Sequence, residues 1–370
     1  MNDLAGRSFS NILLIKPSSP GDIIHALPVL HGLRRRYPRS IITWLVASPF
    51  ANLIEADPAL DAVLPFERRR FGRVGRSLTV TREFLAFLRR IRDRQFDLVI
   101  DLQGLFRSGF LSLASGAAVR LGFAAAREMA WIFYTHRIVT DDPESHAADR
   151  NYAAARLLGF ADLPMDFSIA ITEEDRRAAG RLVEQCLDHP PPPNGYAVLV
   201  PVTRWETKCW PAERYGLLAR CLRERHGLSS LLVGGEGDRL KAQIAAEESA
   251  GAAHNVCGRT TLRQLAALVN ESAIVVTADS TPMHLAAAMQ RPLVALFGPT
   301  SPRRTGPYGR PQDVVRLDLT CSPCYLRRLR QCPHQHACMQ RLTVDAVAEA
   351  VAARLQRPAS PSPRPHQASS

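Results

Sequence analysis

Three short loops and one glycine turn carry the residues best suited to chemistry. The first loop is Ser18-Ser19-Pro20-Gly21-Asp22, where Asp22 is expected to open a helix. A helix start keeps a carboxylate ionised, and an ionised carboxylate in a cleft can take a proton from an attacking hydroxyl. Gly21 beside it leaves room for a ligand to approach the backbone; an ordinary N-cap aspartate would fit the same pattern. The second loop runs Thr203-Arg204-Trp205-Glu206-Thr207-Lys208. Lys208 is a mobile point charge able to neutralise a diphosphate, or simply a loop lysine. The third is Asp279-Ser280-Thr281-Pro282-Met283-His284, between an apolar strand over 273–277 and helix formers at 285–288. Thr281 is expected to cap that helix, with Pro282 at its first position. Free N–H groups and the positive dipole end would then hold a phosphate. Glu236 follows the Gly234-Gly235 turn, where a carboxylate accepts ribose hydroxyls in nucleotide sites or merely faces solvent.

These loops need a scaffold, and the hydrophobic pattern supplies one. Strands are expected over 11–15, 41–46 and 96–101, with helices from 22 to 35 and over 82–92. Helix-rich stretches follow over 147–158 and 173–187. A second series then begins, with strands at 196–200, 231–235, 273–277 and 292–297, and helices at 212–225, 262–269 and 344–355. Strands alternating with helices argue for parallel, doubly wound sheets. The Pro-rich run 188–195 can be neither helix nor central strand and reads as a stiff spacer. The domains are therefore expected at 1–187 and 196–356, with a disordered Pro- and Ser-rich tail over 357–370. Two such sheets on a short link should face each other across a central cleft, where ligands of open α/β sheets bind.

At 370 residues the chain is too long for one typical core. No apolar run approaches the ~20 residues of a membrane span, and the N-terminus lacks the features of a signal peptide, so a cytosolic protein is expected. The net charge of +12 favours anionic partners. Ten arginines stand against three acids over 66–94, and the loop with Arg68, Arg69, Arg70 and Arg73 is too dense for a merely solvated face. No nucleic-acid module is present and aromatics near the arginines are few, which argues against a nucleic-acid partner. Four of the eight cysteines, Cys321, Cys324, Cys332 and Cys338, are spaced by two, seven and five residues. That is no standard zinc-finger spacing. A structural metal, with His334 and His336 as further ligands, and reduced thiols in a surface hairpin both fit it.

Longer motifs surround these residues: Lys16-Pro-Ser-Ser-Pro-Gly-Asp-Ile-Ile-His-Ala-Leu-Pro28, Asp101-Leu-Gln-Gly-Leu-Phe-Arg-Ser108, the runs 203–211 and 279–285, and Phe297-Gly-Pro-Thr-Ser-Pro-Arg-Arg-Thr-Gly-Pro-Tyr-Gly309. Together they resemble glycosyltransferase family 9, the heptosyltransferases of lipopolysaccharide core synthesis, from residue 11 to about residue 345. The resemblance implies a GT-B architecture of two Rossmann-like domains. It implies inverting transfer of a heptose from ADP-heptose, with no cofactor and no catalytic metal. Asp22 matches the general base, and Thr203, Lys208, Asp279, Ser280 and Thr281 match the donor-phosphate contacts. Glu236 matches the ribose contact, and Met283 and His284 would lie beside the nucleotide. Ser18, Ser19, Gly21, Gln103, Arg127 and the arginine loop fall on the acceptor side, toward acidic Kdo sugars and lipid A phosphates.

The partners so implied are a Kdo-lipid A or inner-core acceptor and the cytoplasmic face of the inner membrane, met peripherally by a monomer. Residues 101–105 and Arg127-Glu128 resemble heptosyltransferase I, while the cysteine-rich run resembles heptosyltransferase II. A nucleotide-sugar epimerase would share the architecture but would need a second acid–base group.

Overall fold

The protein, seen in a computed structural model, is described over residues 4–187 and 195–356. Most of the expected spacer and the whole expected tail lie outside those residues. The chain divides into two compact units between Ala170 and Ile171.

In the first unit, β1 (Asn11–Ile15), β2 (Ile41–Ala47), β3 (Ala62–Phe66), β4 (Leu98–Asp101), β5 (Val119–Phe123) and β6 (His136–Ile138) form one parallel sheet. Their order is β3-β2-β1-β4-β5-β6. Ile12, Leu13, Leu14 and Ile15 are all fully buried, as a strand covered on both faces requires. The order reverses between β1 and β4, whose ends lie side by side through the pairing of Ile15 with Asp101. On one face an aromatic cluster forms where Phe66, Phe71, Phe84 and Phe87 meet, with ring centroids 5.3–5.5 Å apart. Phe84 and Phe87 come from the helix Leu78–Asp93, which starts four residues earlier than its apolar stripe suggests, with Ser77 as its N-cap.

The second unit repeats the wiring. β7 (Tyr196–Val200), β8 (Ser229–Leu232), β9 (Ala253–Asn255), β10 (Ile274–Ala278), β11 (Leu293–Phe297) and β12 (Val314–Arg316) pair in parallel in the order β12-β11-β10-β7-β8-β9. Its reversal falls between β7 and β10, where Val200 pairs with Thr277. The helix Glu173–Cys186, expected in the N-terminal domain, belongs here instead. It packs against the helix Leu262–Glu271, and Asp175 Oδ2 stands 2.5 Å from Arg263 Nε. Its buried stripe of Ala179, Leu182 and Val183 thus decides its allegiance, and the boundary falls before the helix rather than after it.

Among the described residues no helix is long and apolar enough to cross a membrane.

Candidate active site

In the first unit β1 delivers the chain to the switch point, and the helix Pro20–Ile24 follows at once. Ser19 is its N-cap and Asp22 its third residue, not its first as expected. The serine and the acid three residues on form a capping box. Asp22 Oδ2 accepts from Ser19 N at 2.7 Å and from Ser19 Oγ at 2.9 Å. Among the described residues nothing bonds Asp22 Oδ1, so one carboxylate oxygen stays open.

Lys16, at the end of β1, sends its ammonium 2.7 Å to Leu102 O and ties the loops after β1 and β4 together. Burial lowers its pKa, while the charges of Asp22 and Asp101 act in the opposite sense. Asp101 is fully buried at the end of β4. Its Oδ1 accepts from Gln103 N at 2.8 Å and Gly104 N at 3.2 Å, and its Oδ2 from Tyr134 Oη at 2.7 Å. Burial raises the pKa of this carboxyl, and the four donors of Tyr134, Ser108, Gln103 and Gly104 only partly offset it. Asp101 therefore shapes the turn that presents Gln103, whose Oε1 is buried with no hydrogen-bond partner. Arg127 N donates to Gly104 O at 3.0 Å, which sets Arg127 beside this turn.

The arginine loop is only partly available. Arg68 Nη1 reaches Ser18 Oγ at 3.3 Å, so Arg68 does join the β1 loop. Arg70 is paired with Glu83 through two 2.5 Å contacts. Arg69 and Arg73 are exposed.

In the second unit Lys208 closes a short turn, Glu206–Lys208, after β7. Its ammonium lies 2.7 Å from Asp279 Oδ2 and 4.5 Å from the Trp205 ring centroid. Asp279 follows β10 and also accepts from Thr305 Oγ1 at 3.2 Å. Lys208 is thus a placed cation rather than the mobile one its loop position suggested. Ser280, not Thr281, is the N-cap of the helix Thr281–Ala288, and Pro282 takes its second position. Ser280 Oγ meets Thr277 Oγ1 at 2.8 Å. Among the described residues the N–H groups of Ser280 and Thr281 have no protein acceptor, whereas Met283 N donates to Ser280 O.

The Met283 side chain is fully buried and His284 nearly so. Met283 therefore packs into the core of the second unit. Thr203 Oγ1 donates to Trp205 O at 3.0 Å, which fixes the loop. Glu236, after β8, is exposed, leans on the left-handed Gly258 and lies 3.9 Å from Arg239 Nη1.

Cys321, Cys324 and Cys332 lie near enough to Cys338 for their charges to act on its thiol. Among the described residues no three His, Cys, Asp or Glu side chains stand where they could hold a metal ion. Cys338 turns into the core against Gly298, and burial pushes its thiol up to about 11. Cys324 is exposed, Cys332 Sγ accepts from His336 N, and His336 Nε2 is engaged by Thr207 O at 2.6 Å. Lys16, Asp101 and Thr305 stood in the quoted motifs without an individual role, and Tyr134 was not singled out. A lysine and an aspartate each ending a buried apolar strand were the available signal for the first two.

Twin parallel sheets with polar loops at both switch points are the architecture of the GT-B glycosyltransferases. Residues 84–336 match the model of glycosyltransferase family 9 (heptosyltransferase). Lipopolysaccharide heptosyltransferase 1 of Pseudomonas aeruginosa is 32% identical over 363 residues, covering 94% of this chain and 98% of its own. The protein of that name from Escherichia coli K12 is 29% identical over 308 residues, 82% of this chain and 93% of its own. Among solved structures, an E. coli heptosyltransferase with ADP superposes with a TM-score of 0.73 at 26% identity, over 93% of this chain and 99% of that one. A family 9 glycosyltransferase from Veillonella parvula gives a TM-score of 0.79 at 24% identity, over 94% and 98%. The chain belongs to glycosyltransferase family 9 and is a glycosyltransferase.

Proposed function

We propose that this protein moves a heptose, with inversion, from ADP-L-glycero-D-manno-heptose to the Kdo region of the lipopolysaccharide inner core. The observation that carries the reading is Asp22, gripped by Ser19 through one oxygen and open at the other, at the switch point of the first sheet. Asp22 Oδ1 takes the proton of an acceptor hydroxyl as that oxygen attacks the anomeric carbon. The bond from that carbon to the diphosphate breaks, and its electron pair leaves on ADP. A base so placed supplies about 10²–10⁴-fold.

The second unit receives the leaving group. The unused N–H groups of Ser280 and Thr281, at a helix N-terminus, and the ammonium of Lys208 stabilise charge as it develops on the diphosphate. Thr203 and Asp279 keep that ammonium in place, and Glu236 takes a ribose hydroxyl. On the acceptor side Ser18, Ser19, Gly21, Gln103, Arg127 and the arginines at 68, 69 and 73 meet an acidic sugar, with the unpartnered Gln103 Oε1 accepting one of its hydroxyls. The nucleotide sugar is the only small molecule required, and no resident cofactor takes part. The protein works as a monomer at the cytoplasmic face of the inner membrane.

A transfer assay pairing ADP-heptose with Kdo-lipid A tests the reading, with UDP- and GDP-sugars as controls. Transfer confined to another donor would overturn it. The segment 321–338 favours a second reading, transfer to an already heptosylated acceptor, and offering both acceptors separates the two.

A further inference from the structure

The first unit exposes an apolar face that the proposed reaction does not use. The helix Phe106–Ala114 and the turn Ala130–Phe133 lie hard against each other, because a side chain on Gly109 would strike Phe133 and Ala130. Phe133 meets Phe106 at 5.1 Å and Phe110 at 6.4 Å, so the two segments share one aromatic seam. Outward from it stand Phe106, 49% exposed, Met129, 61%, Ile132, 47%, and the half-exposed Trp131 and Leu113. Exposed apolar side chains gathered on two adjoining segments mark a candidate docking surface.

The surrounding charge says which partner. Over residues 104–139 four arginines, Arg107, Arg120, Arg127 and Arg137, stand against one acid, Glu128. Glu128 is engaged, accepting from Phe106 N at 3.2 Å. Arg137 lies over the Trp131 ring, 4.9 Å from its centroid. Arg120 is tied to Phe133 O and Ala117 O, and apolar side chains with a tryptophan among them, on segments where arginines outnumber acids, suit the boundary between acyl chains and anionic headgroups. A second copy of the chain fits poorly, since a two-fold contact would bring like charges together. The location is apt as well: Phe106 lies two residues beyond Gly104, and Arg127 N is bonded to that glycine's carbonyl.

We propose that this face, built from Phe106–Ala114 and Ala130–Phe133, docks on an anionic bilayer and so brings the 102–104 turn to a lipid-borne acceptor. The proposal rests on the acceptor being a lipid.

Vesicle co-sedimentation of the full chain tests it, comparing phosphatidylcholine alone with phosphatidylcholine plus phosphatidylglycerol. The protein sediments with the anionic vesicles and not with the neutral ones. The double variant Trp131→Ser, Ile132→Ser loses about tenfold or more of that binding, the scale of withdrawing two apolar anchors from an interface. Both positions are exposed, and an unchanged thermal midpoint shows that the variant is folded. Its transfer to a deacylated acceptor in solution stays at the wild-type rate, while transfer to acceptor embedded in vesicles falls. Equal vesicle binding by variant and wild type overturns the proposal, as does a wild-type dimer that the substitutions make monomeric. Absence of transfer by the wild type would instead defeat the heptosyltransferase reading and leave the sedimentation result standing.

Discussion

Asp22 and Lys208 each show how a charged side chain is held before any ligand arrives. Lys208 and Asp279 are only 15% and 7% exposed, so either charge alone would sit largely out of water. Lys208→Met should cost up to about 3–5 kcal/mol, because Asp279 keeps only Thr305. Adding Asp279→Asn should restore most of that loss, which denaturant titration of the single and double variants would measure. A second buried pair should set pH dependence. His31 Nε2 lies 3.0 Å from Asp57 Oδ2, and its Nδ1 lies 2.7 Å from Asp166 O. Burial disfavours the His31 cation, but the Asp57 hydrogen bond and charge, with Asp166, outweigh it and raise the pKa. A cation favoured by folding stabilises fully below the unfolded pKa of histidine, and that stabilisation fades as pH rises through the raised folded value. Stability should therefore fall through and above the ordinary histidine range, and His31→Gln should flatten that fall. An unchanged pH profile in the variant would refute this.

Elements were legible in proportion to their burial. The strands over 11–15 and 196–200 and the helix over 344–355 match their expected bounds because long apolar runs announce them. β3, β5, β6, β9 and β12 went unread: β6, β9 and β12 have only three residues each, all five lie toward the sheet edges, and β5, β6 and β9 carry Arg120, His136 and Asn255. The helix expected from 22 to 35 is two helices, Pro20–Ile24 and Leu27–Arg36. The box from Ser19 to Asp22 was visible in sequence; the second helix start, at Ala26 with Pro28 behind it, announces itself less clearly. Of the site, the loops were legible, but their internal pairings were not. Spacing along the chain does not reveal that Asp279 neutralises Lys208 or that Glu83 occupies Arg70. A packing detail of the same kind supports a prediction. Gly122 faces Asp101 across β4 and β5, and a Cβ there would come within 2.4 Å of the Tyr134 ring. Gly122→Ala should push Tyr134 off Asp101 and cost about 1–3 kcal/mol, readable as a lower thermal midpoint.

For the molecule as a whole, two units wired alike each present polar loops at a switch point, and the chain carries a net charge of +12. If the second unit holds the nucleotide, ADP at 100 times its dissociation constant should stabilise the chain by about 2.7 kcal/mol. Thermal shift should detect that gain in the wild type and find it reduced in Lys208→Met. An acidic acceptor approaching so basic a protein should also bind less well as salt rises, since exposed charges are screened over about 8–10 Å near physiological ionic strength. The KM for acceptor should climb with salt while that for a single donor charge state moves less.

Asp22 is the proposed base of the heptose transfer. Asp22→Asn keeps the shape of the side chain and can keep an acceptor oxygen toward Ser19, but it cannot take a proton. Its transfer rate from ADP-heptose to Kdo-lipid A should fall by about 10²–10⁴-fold at an unchanged thermal midpoint. A folded Asp22→Asn protein that transfers at close to the wild-type rate would contradict the account.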